Sequence, residues 1–491
     1  MRKPSLMAVL AISVCFLFGS CVMGPKYTRP RIVAPPSFRG EAGAAQQASI
    51  ADLPWWEVFH DPTLQGLIKT ALANNQDLRV AALRVEQARQ RSVVARSQYY
   101  PSVGYEAGLS QGKNEYQGNP ADSGGKHRGS VLAGFGATWE LDVWGRIHWA
   151  NEASLASFLA TEQGRRGVML SLVSSVAQAY FELLELDLRL DIARRNTASF
   201  EGSLNIFRER LEGGTASRLE TTRAEAAMTS TAANIPDLER QIAIQENEIR
   251  LLTGTDPGPV PHKGTLLEQT VPPDVPAGLP SLLLERRPDV IQAELAVRGA
   301  NAQVGISGSA YFPQIGLTAL LGRASSPLDA FTSGAHSIWS TAASAVGPLY
   351  EGRSLRAQKR EAIAHWEETR VQYERTALAA FRDVSNALFN RQKLEEVRSR
   401  QAAAVKAYQE AVEVAIQRYT AGKSSYYEVL EAQQQLFPAE NALAETELGR
   451  RLAVVQLYQA LGGGWKLTDT EWSTPPAVIP NNGPQAKPSA R

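Results

Sequence analysis

The chain of 491 residues is 44% hydrophobic and 21% charged, which excludes a wholly disordered or collagen-like protein. Its 51 basic residues nearly balance its 50 acidic ones, so the charge gives no reason to expect a nucleic-acid partner. A mean hydropathy of −0.23 is too polar for a bundle of membrane-spanning helices. The two cysteines, Cys15 and Cys21, cannot provide a disulfide framework.

The first twenty residues have the features of a targeting signal. Arg2 and Lys3 precede an apolar stretch from Leu6 to Phe18, and small residues lead up to Cys21. A short apolar core with these flanks predicts a cleaved signal peptide and not a membrane span. One interpretation is an ordinary secretory signal that carries Cys21 by chance. The segment resembles a bacterial lipoprotein signal, and we therefore predict cleavage before Cys21 and lipidation of that residue.

The sequence contains an internal repeat. Residues 77–101 align with residues 289–313 at an offset of 212. Farther along, the offset becomes 208 and persists through five matched pairs: Phe181 with Phe389, Arg210 with Arg418, Gly214 with Gly422, Glu220 with Glu428 and Gly254 with Gly462. Because chance does not maintain such registration over this length, the two halves are predicted to share one architecture.

Each half begins with a predicted helix, 64–97 or 288–310, which a proline ends. Segments of alternating apolar residues then predict strands, and the polar segments between them predict loops at 112–129 and 323–334. The strands are expected at 103–109, 131–141, 315–321 and, with poorer alternation, 338–349. One apolar face and one small or polar face over such a length are typical of membrane β-strands.

Four membrane strands from one chain are too few to close a β-barrel. Membrane barrels start at about eight strands, and an open sheet edge cannot be placed in lipid. If these strands lie in a membrane, several chains must contribute to one barrel.

Two long helices are predicted because no proline interrupts residues 146–211 or 353–421. Each would be about 100 Å long at 1.5 Å per residue. Each is followed by a turn and a returning helix that ends at Gly254 or Gly462. Both turns carry a helix-ending glycine and a Ser-x-x-Glu capping box, formed by Gly214, Ser217 and Glu220 and by Gly422, Ser425 and Glu428.

Heptad-like apolar spacing on helices of this length predicts coiled-coil packing. A filamentous coiled coil would need neither a signal peptide nor strands. A soluble four-helix bundle would have shorter helices.

Two motifs imitate catalytic sites. Residues 108–112 match the G-x-S-x-G pattern, but a polar loop follows where a nucleophile elbow requires a helix. Gly422-Lys423-Ser424 resembles the end of a phosphate loop, yet Gln417 occupies the place of the upstream glycine. The six histidines have no ligand spacing. We therefore predict no enzyme, no metal site and no cofactor apart from a covalent lipid on Cys21.

Several segments resemble the outer-membrane efflux protein family, the TolC-like channels, and most closely its lipoprotein branch of multidrug efflux pumps. The most specific is Leu283-Leu284-Glu285-Arg286-Arg287-Pro288-Asp289-Val290, and the others are residues 21–27, 55–61, 75–78, 293–294 and 312–313. The resemblance extends from Cys21 to about Trp465 and leaves out the tail after Trp472.

The resemblance implies a mainly α-helical fold with a transmembrane β part. Each chain of a homotrimer would give four strands to a 12-stranded β-barrel and long coiled-coil hairpins to an α-barrel across the periplasm. The implied segments are a lipoprotein signal peptide at 1–20, a lipidated N-terminal and equatorial part at 21–63, a first repeat at 64–256, an equatorial connector at 257–287, a second repeat at 288–464 and a Pro-rich, disordered tail at 465–491.

The implied function is that of a passive outer-membrane channel in a tripartite efflux system that exports drugs or other small toxic compounds. Its partners would be a periplasmic adaptor, an inner-membrane pump of the resistance-nodulation-division type and outer membrane lipids. Two alternatives remain open. Genomic neighbours would distinguish a type I protein-secretion duct, and a lack of conductance would distinguish a structural envelope lipoprotein.

The resemblance also places the periplasmic entrance at the two hairpin turns. The tips expected to dock the adaptor are Gly213, Gly214, Thr215, Ser217, Gly422, Lys423 and Ser425. The candidate gate residues are Arg418, Tyr419, Ser424, Tyr426 and Tyr427. One family pattern has an acidic residue where this chain has Ser424, so closure is expected to depend on Tyr and Arg contacts. The alternative is that these residues only pack the hairpin.

Overall fold

The computed structural model describes residues 22–40, 49–112, 128–262, 264–269, 277–325, 331, 337–468 and 471–472. The predicted signal peptide, Cys21, most of both predicted strand-connecting loops and the tail after Trp472 lie outside these residues.

The described elements follow the predicted order twice along the chain. They are α1 (Trp55–Val58), α2 (Pro62–Asn74), α3 (Gln76–Ser97), β1 (Ser102–Gly112), β2 (Arg128–Leu141), α4 (Arg146–Glu212), α5 (Arg218–Ala232), α6 (Asn234–Thr253), α7 (Pro280–Arg286), α8 (Pro288–Ser309), β3 (Gln314–Ser325), β4 (Ser337–Val346), α9 (Ser354–Thr420) and α10 (Tyr426–Ala460). Two short 3-10 helices, Ile50–Asp52 and Leu266–Glu268, complete the set.

The internal repeat is present in the structure with the offsets read from the sequence. The bounds of α3 and α8 differ by 212 at both ends, and those of α4 and α9 differ by 208 at both ends. Both α4 and α9 have 67 residues, as their uninterrupted sequences predict. A window of α4 is long and apolar enough to cross a membrane, but 67% of it is buried, as in a core helix.

Two predicted helices are interrupted. The segment 64–97 forms α2 and α3, which separate at Asn75, where the side-chain oxygen accepts a hydrogen bond from the Leu78 amide at 2.9 Å. The first returning helix separates into α5 and α6 at Ala233. Pro236 explains this break, because it lacks an amide hydrogen and its ring crowds the carbonyl of Ala232. The prediction of a single helix was wrong in both places.

The first hairpin turn ends α4 with a left-handed glycine, as predicted. Gly214 has φ +73°, and its amide donates to the Leu211 carbonyl at 3.0 Å. The Thr215 amide donates to the Arg210 carbonyl at 2.8 Å, which completes a Schellman motif. The second turn repeats this geometry at Gly422 (φ +71°), with the Lys423 amide 2.8 Å from its acceptor.

The predicted capping boxes are only partly formed. The Ser217 hydroxyl accepts a hydrogen bond from the Glu220 amide at 3.4 Å. Ser425 makes no side-chain cap bond among the described residues, so the second box was a wrong prediction. Its acidic member, Glu428, lies instead 3.7 Å from Arg418 on the preceding helix.

The four strands form one antiparallel sheet in the order β1-β2-β3-β4. The pairing is continuous: Val103 lies opposite Ala137, and Ala137 lies opposite Ala319. The outer sides of β1 and β4 have no neighbouring strand within the described part of the chain.

The chain forms two compact units, and each takes segments from both repeats. The first contains the described residues within 1–31, 84–162 and 292–374, and these include the sheet. The second contains the described residues within 32–83, 163–291 and 375–491, and these include both hairpin turns.

In the second unit, the end of the returning helix of each repeat is held by an equivalent hydrogen bond. The Asn75 side chain donates to the Leu252 carbonyl at 3.0 Å, and Arg287 donates to the Ala460 carbonyl at 3.1 Å. The residue numbers of the donors Asn75 and Arg287 differ by 212, and those of the acceptors Leu252 and Ala460 differ by 208. These are the two offsets of the internal repeat. The motif around Arg287 therefore fastens the end of α10 to the start of α8.

We expect the helix-ending glycines to differ in their tolerance of alanine. Ala at Gly214 must adopt a positive φ, at a cost of about 1–2 kcal/mol, but its Cβ would meet no atom within 4 Å. Ala at Gly254 must also adopt a positive φ, and in addition its Cβ would lie 2.6 Å from the Asn74 carbonyl oxygen, which is a steric clash. Thermal unfolding followed by circular dichroism should show a larger fall in midpoint for Gly254→Ala. Equal falls would contradict this account.

Candidate functional site

One face of the sheet carries a row of large apolar side chains. Tyr105, Phe135, Leu321 and Trp339 lie opposite one another across all four strands. Their side chains are between 64 and 85% exposed. An exposed apolar band of this kind is costly in water and typical of strands that face lipid.

The opposite face is lined by small and polar residues. The row next to the apolar one contains Gly104, Gly136 and Ser340, with Leu320 between them. Glu106 lies on the same face of β1, two residues after Gly104. Alternation between an apolar face and a small, more polar face suits a wall that separates lipid from water.

Aromatic residues gather at the end of the sheet where the strands meet the helices. Tyr100, Tyr311 and Tyr350 adjoin three of these junctions and are 41 to 91% exposed. At the fourth, the Trp139 indole nitrogen donates to the Tyr99 carbonyl at 3.0 Å. Such a collar is typical of a membrane–water interface, since these rings have an apolar body and a polar edge.

The two hairpin turns lie side by side in the second unit. The Phe207 and Tyr419 rings meet edge to face with centroids 5.0 Å apart. The Arg210 guanidinium stacks 4.3 Å from the centre of the Tyr419 ring and donates to the Thr420 carbonyl at 2.9 Å. Arg210 therefore caps the end of α9 from the neighbouring hairpin.

Tyr419 is a core residue of this tip. It is 5% exposed and packs with Leu204, Phe207, Ala224 and Val429. Burial and nearby Glu220 raise the pKa of its hydroxyl, and Arg210 opposes this shift. This placement supports the alternative that Tyr419 packs the hairpin.

The other predicted gate residues have different surroundings. Arg418 is exposed and pairs with Glu428. The Tyr426 hydroxyl accepts a hydrogen bond from Arg223 at 3.2 Å, again between the hairpins. Tyr427 is 55% exposed and lines a groove of about 600 Å³ between α5 and α10. The Ser424 hydroxyl is buried and has no hydrogen-bond partner among the described residues.

The predicted docking residues at the tips are all exposed: Gly213, Gly214, Thr215, Ser217, Gly422, Lys423 and Ser425. Three further residues, which were not predicted from the sequence, hold the second hairpin to the first: Phe207, Arg210 and Arg223. The internal repeat could have identified Arg210, because it is the repeat equivalent of Arg418, which was predicted as a gate residue.

The described residues contain no group of three or more His, Cys, Asp or Glu side chains that could hold a metal ion.

A lipid-facing sheet with open edges, joined in sequence to long helical hairpins, defines a class of outer-membrane channels. The sequence model of the outer membrane efflux protein family matches residues 67–255 and 279–463, which cover most of both repeats. The chain belongs to this family, whose members are efflux channels of the outer membrane and not enzymes. The efflux-channel function predicted from the resemblance is thereby confirmed.

Curated relatives match nearly the whole chain. The antibiotic efflux pump outer membrane protein ArpC of Pseudomonas putida is 33% identical over 470 residues, which cover 93% of this chain and 96% of that protein. The cation efflux system protein CusC of Escherichia coli is 32% identical over 467 residues, which cover 93% and 99%. Among solved structures, the open state of the Neisseria gonorrhoeae MtrE outer membrane channel matches with a TM-score of 0.82 and 31% identity, over 91% of this chain and 99% of that one.

Proposed function

We propose that this protein is the outer-membrane channel of a tripartite efflux system and acts as a homotrimeric, passive conduit. It receives its cargo from an inner-membrane pump of the resistance-nodulation-division type through a periplasmic adaptor. The observation that carries the proposal is the four-stranded sheet, which has an exposed apolar face and two edges without a neighbouring strand in the described part of the chain.

The number of chains follows from the width that a conduit needs. One chain cannot close a barrel, and two would give eight strands, whose interior side chains fill. Three chains give twelve strands, and this wider barrel leaves room for a lumen because barrel diameter grows with the number of strands. The small residues opposite the apolar face, such as Gly104 and Gly136, suit that lumen.

The names of relatives favour a conduit without its own substrate site. They refer to antibiotics, toluene and cations. A shared architecture with such different cargo agrees with selection by the pump.

A lipid on Cys21 would anchor the chain beside the sheet. The Met23 amide donates to the Trp144 carbonyl at 3.2 Å, three residues after β2 ends. A Cβ on Gly145 would lie 2.8 Å from the Val22 side chain, so the described N-terminus adjoins the aromatic collar. One relative, SilC of Salmonella typhimurium, is named an outer membrane lipoprotein.

The tip residues are proposed to dock the adaptor because they are exposed at both turns. Closure at rest is assigned to Arg418, Ser424, Tyr426 and Tyr427, and the buried Tyr419 holds the tip on which they lie. Three copies around one axis multiply a weak contact, so a loss of about 1 kcal/mol per chain changes the closed-to-open ratio by over a hundredfold.

Native mass spectrometry in mild detergent should show trimers, and planar bilayers should show ion conductance. A stable monomer that conducts ions would contradict the shared barrel. A trimer without conductance would favour the structural lipoprotein.

Cys21→Ala should abolish incorporation of radiolabelled palmitate, because this residue supplies the thiol and the amine that would carry the lipid. Cys15→Ala is the matched control and should leave labelling unchanged, since Cys15 lies in the cleaved segment. Undiminished label in Cys21→Ala would refute the anchor.

Arg418→Ala or Tyr419→Ala should raise single-channel conductance while trimers remain intact. Tyr419→Phe is the control, because it retains the ring that Phe207 and Arg210 contact. If both alanine variants and their double variant conduct as the native channel does, the gate lies elsewhere and these residues serve packing.

A further inference from the structure

The start of α9, directly after its junction with β4, carries four basic side chains. All four are exposed, and none of them forms an ion pair within the described part of the chain. The junction between β2 and α4 differs, because Arg146 there pairs with Glu140 at 2.8 Å. The four residues together form a basic stripe: Arg353, Arg356, Lys359 and Arg360.

The basic stripe occupies one side of α9. Its three helical members, Arg356, Lys359 and Arg360, fall within about 100° of the helix surface, because each residue turns the helix by about 100°. Of the two acidic residues nearby, Glu351 precedes the helix, and Glu361 lies about 100° beyond Arg360. The stripe therefore presents positive charge in one direction.

The stripe lies at the level of the aromatic collar. The Lys359 ammonium group lies 5.8 Å from the centre of the Tyr311 ring, and the exposed Tyr350 comes shortly before Arg353. The helix rises about 9 Å between Ser354 and the end of the stripe. The headgroup layer on one side of a bilayer is about 5–8 Å thick. If the collar marks the edge of the hydrocarbon, the stripe spans the layer that contains the lipid phosphates.

The stripe is on the side of α9 that meets the N-terminal segment. Lys359 and Tyr373 are two heptads apart, so they lie within about 40° of one another around the helix. Tyr373 forms a hydrogen bond with Arg29 of the N-terminal segment. This segment leads back to Cys21, the proposed site of the lipid, and a lipid anchor must lie outside the lumen. The same side of α9 therefore adjoins the membrane surface.

The backbone at Arg353 is a second, independent reason to look for a function of this stripe. Arg353 has φ +75° and is the only described residue other than glycine with a positive φ. At the equivalent position of the first repeat, Gly145 has φ +81°. A glycine adopts this conformation without strain, whereas an arginine does not. A strained residue at such a place indicates that its side chain has a use.

We infer that the basic stripe binds the phosphate groups of anionic phospholipids in the leaflet that meets the helices. The guanidinium group offers paired donors that match phosphate oxygens. Clusters of Lys and Arg directly beside a membrane attract anionic headgroups. The inference goes beyond the proposed function and rests on it only for the placement of the N-terminal segment outside the lumen.

Native mass spectrometry of the full-length trimer, titrated with phosphatidylglycerol in mild detergent, measures this binding. The triple variant Arg353→Gln, Arg356→Gln and Lys359→Gln should weaken the binding by about a hundredfold, because each basic group near a membrane contributes roughly a factor of five. Phosphatidylglycerol binding within twofold of the native protein would overturn the inference.

A matched control removes the same charges from exposed positions farther along α9. It consists of Arg375→Gln, Arg400→Gln and Lys406→Gln, and it should leave phosphatidylglycerol binding unchanged. Equal losses in the two triple variants would overturn the inference, because the attraction would then depend on net charge and not on the stripe.

Two further probes identify the ligand. Phosphatidylcholine, which has no net charge, should bind to the native protein and to both triple variants with the same low affinity. Inorganic phosphate at the concentration of the lipid should not displace phosphatidylglycerol. Displacement by inorganic phosphate would indicate a site for free anions and would overturn the assignment to lipid.

The variant Arg353→Gly separates binding from folding. It should not lower the midpoint of thermal unfolding, because glycine adopts the positive φ without strain. It should nevertheless weaken phosphatidylglycerol binding about fivefold. Native affinity in this variant would overturn the role of Arg353.

Planar-bilayer recordings distinguish the membrane side of α9 from the lumen. The stripe variant with three glutamines should form trimers with native conductance and ion selectivity. A changed ion selectivity together with unchanged phosphatidylglycerol binding would place the stripe in the lumen. That result would overturn the inference and leave the proposed channel function intact.

Discussion

The outer edges of β1 and β4, which have no neighbouring strand among the described residues, are the constraint on which the rest of this structure depends. Peptide groups along these edges need hydrogen-bond partners, and lipid provides none. The apolar face that includes Tyr105 and Trp339 nevertheless suits the sheet to lipid. Both requirements are met only when other copies complete the sheet. An assembly of several copies is therefore a consequence of backbone hydrogen bonding at the edges of the sheet.

The duplication explains how one chain builds equivalent contacts from different residues. Asn75 and Arg287 occupy equivalent positions, and both bind the last-turn carbonyl of a returning helix. Arg287 also contacts Asp289 and Asp383, with which it forms ion pairs. The junction of the second repeat therefore joins three helices through one guanidinium group.

The two hairpins differ from each other where they meet. Arg210 and Arg418 are equivalent in sequence, yet Arg210 reaches across to the second hairpin and Arg418 binds back to its own. The returning helix of the first hairpin is interrupted at Ala233, whereas α10 continues through Pro438. The second hairpin is thus held by the first through Tyr419 and Tyr426, and a change at Arg210 reaches both turns.

The sequence by itself determined the repeat, the lengths of α4 and α9, the glycines that end the hairpins and the alternation of the strands. These features depend on local chemistry: proline-free segments, the backbone freedom of glycine and side-chain periodicity. The tertiary structure decided the burial of Tyr419, the role of Arg210 and the pairing of Glu428 with Arg418 in place of a capping box. Those outcomes depend on which side chains come together from segments about 200 residues apart, as Arg210 and Tyr419 do, and no local pattern specifies that meeting.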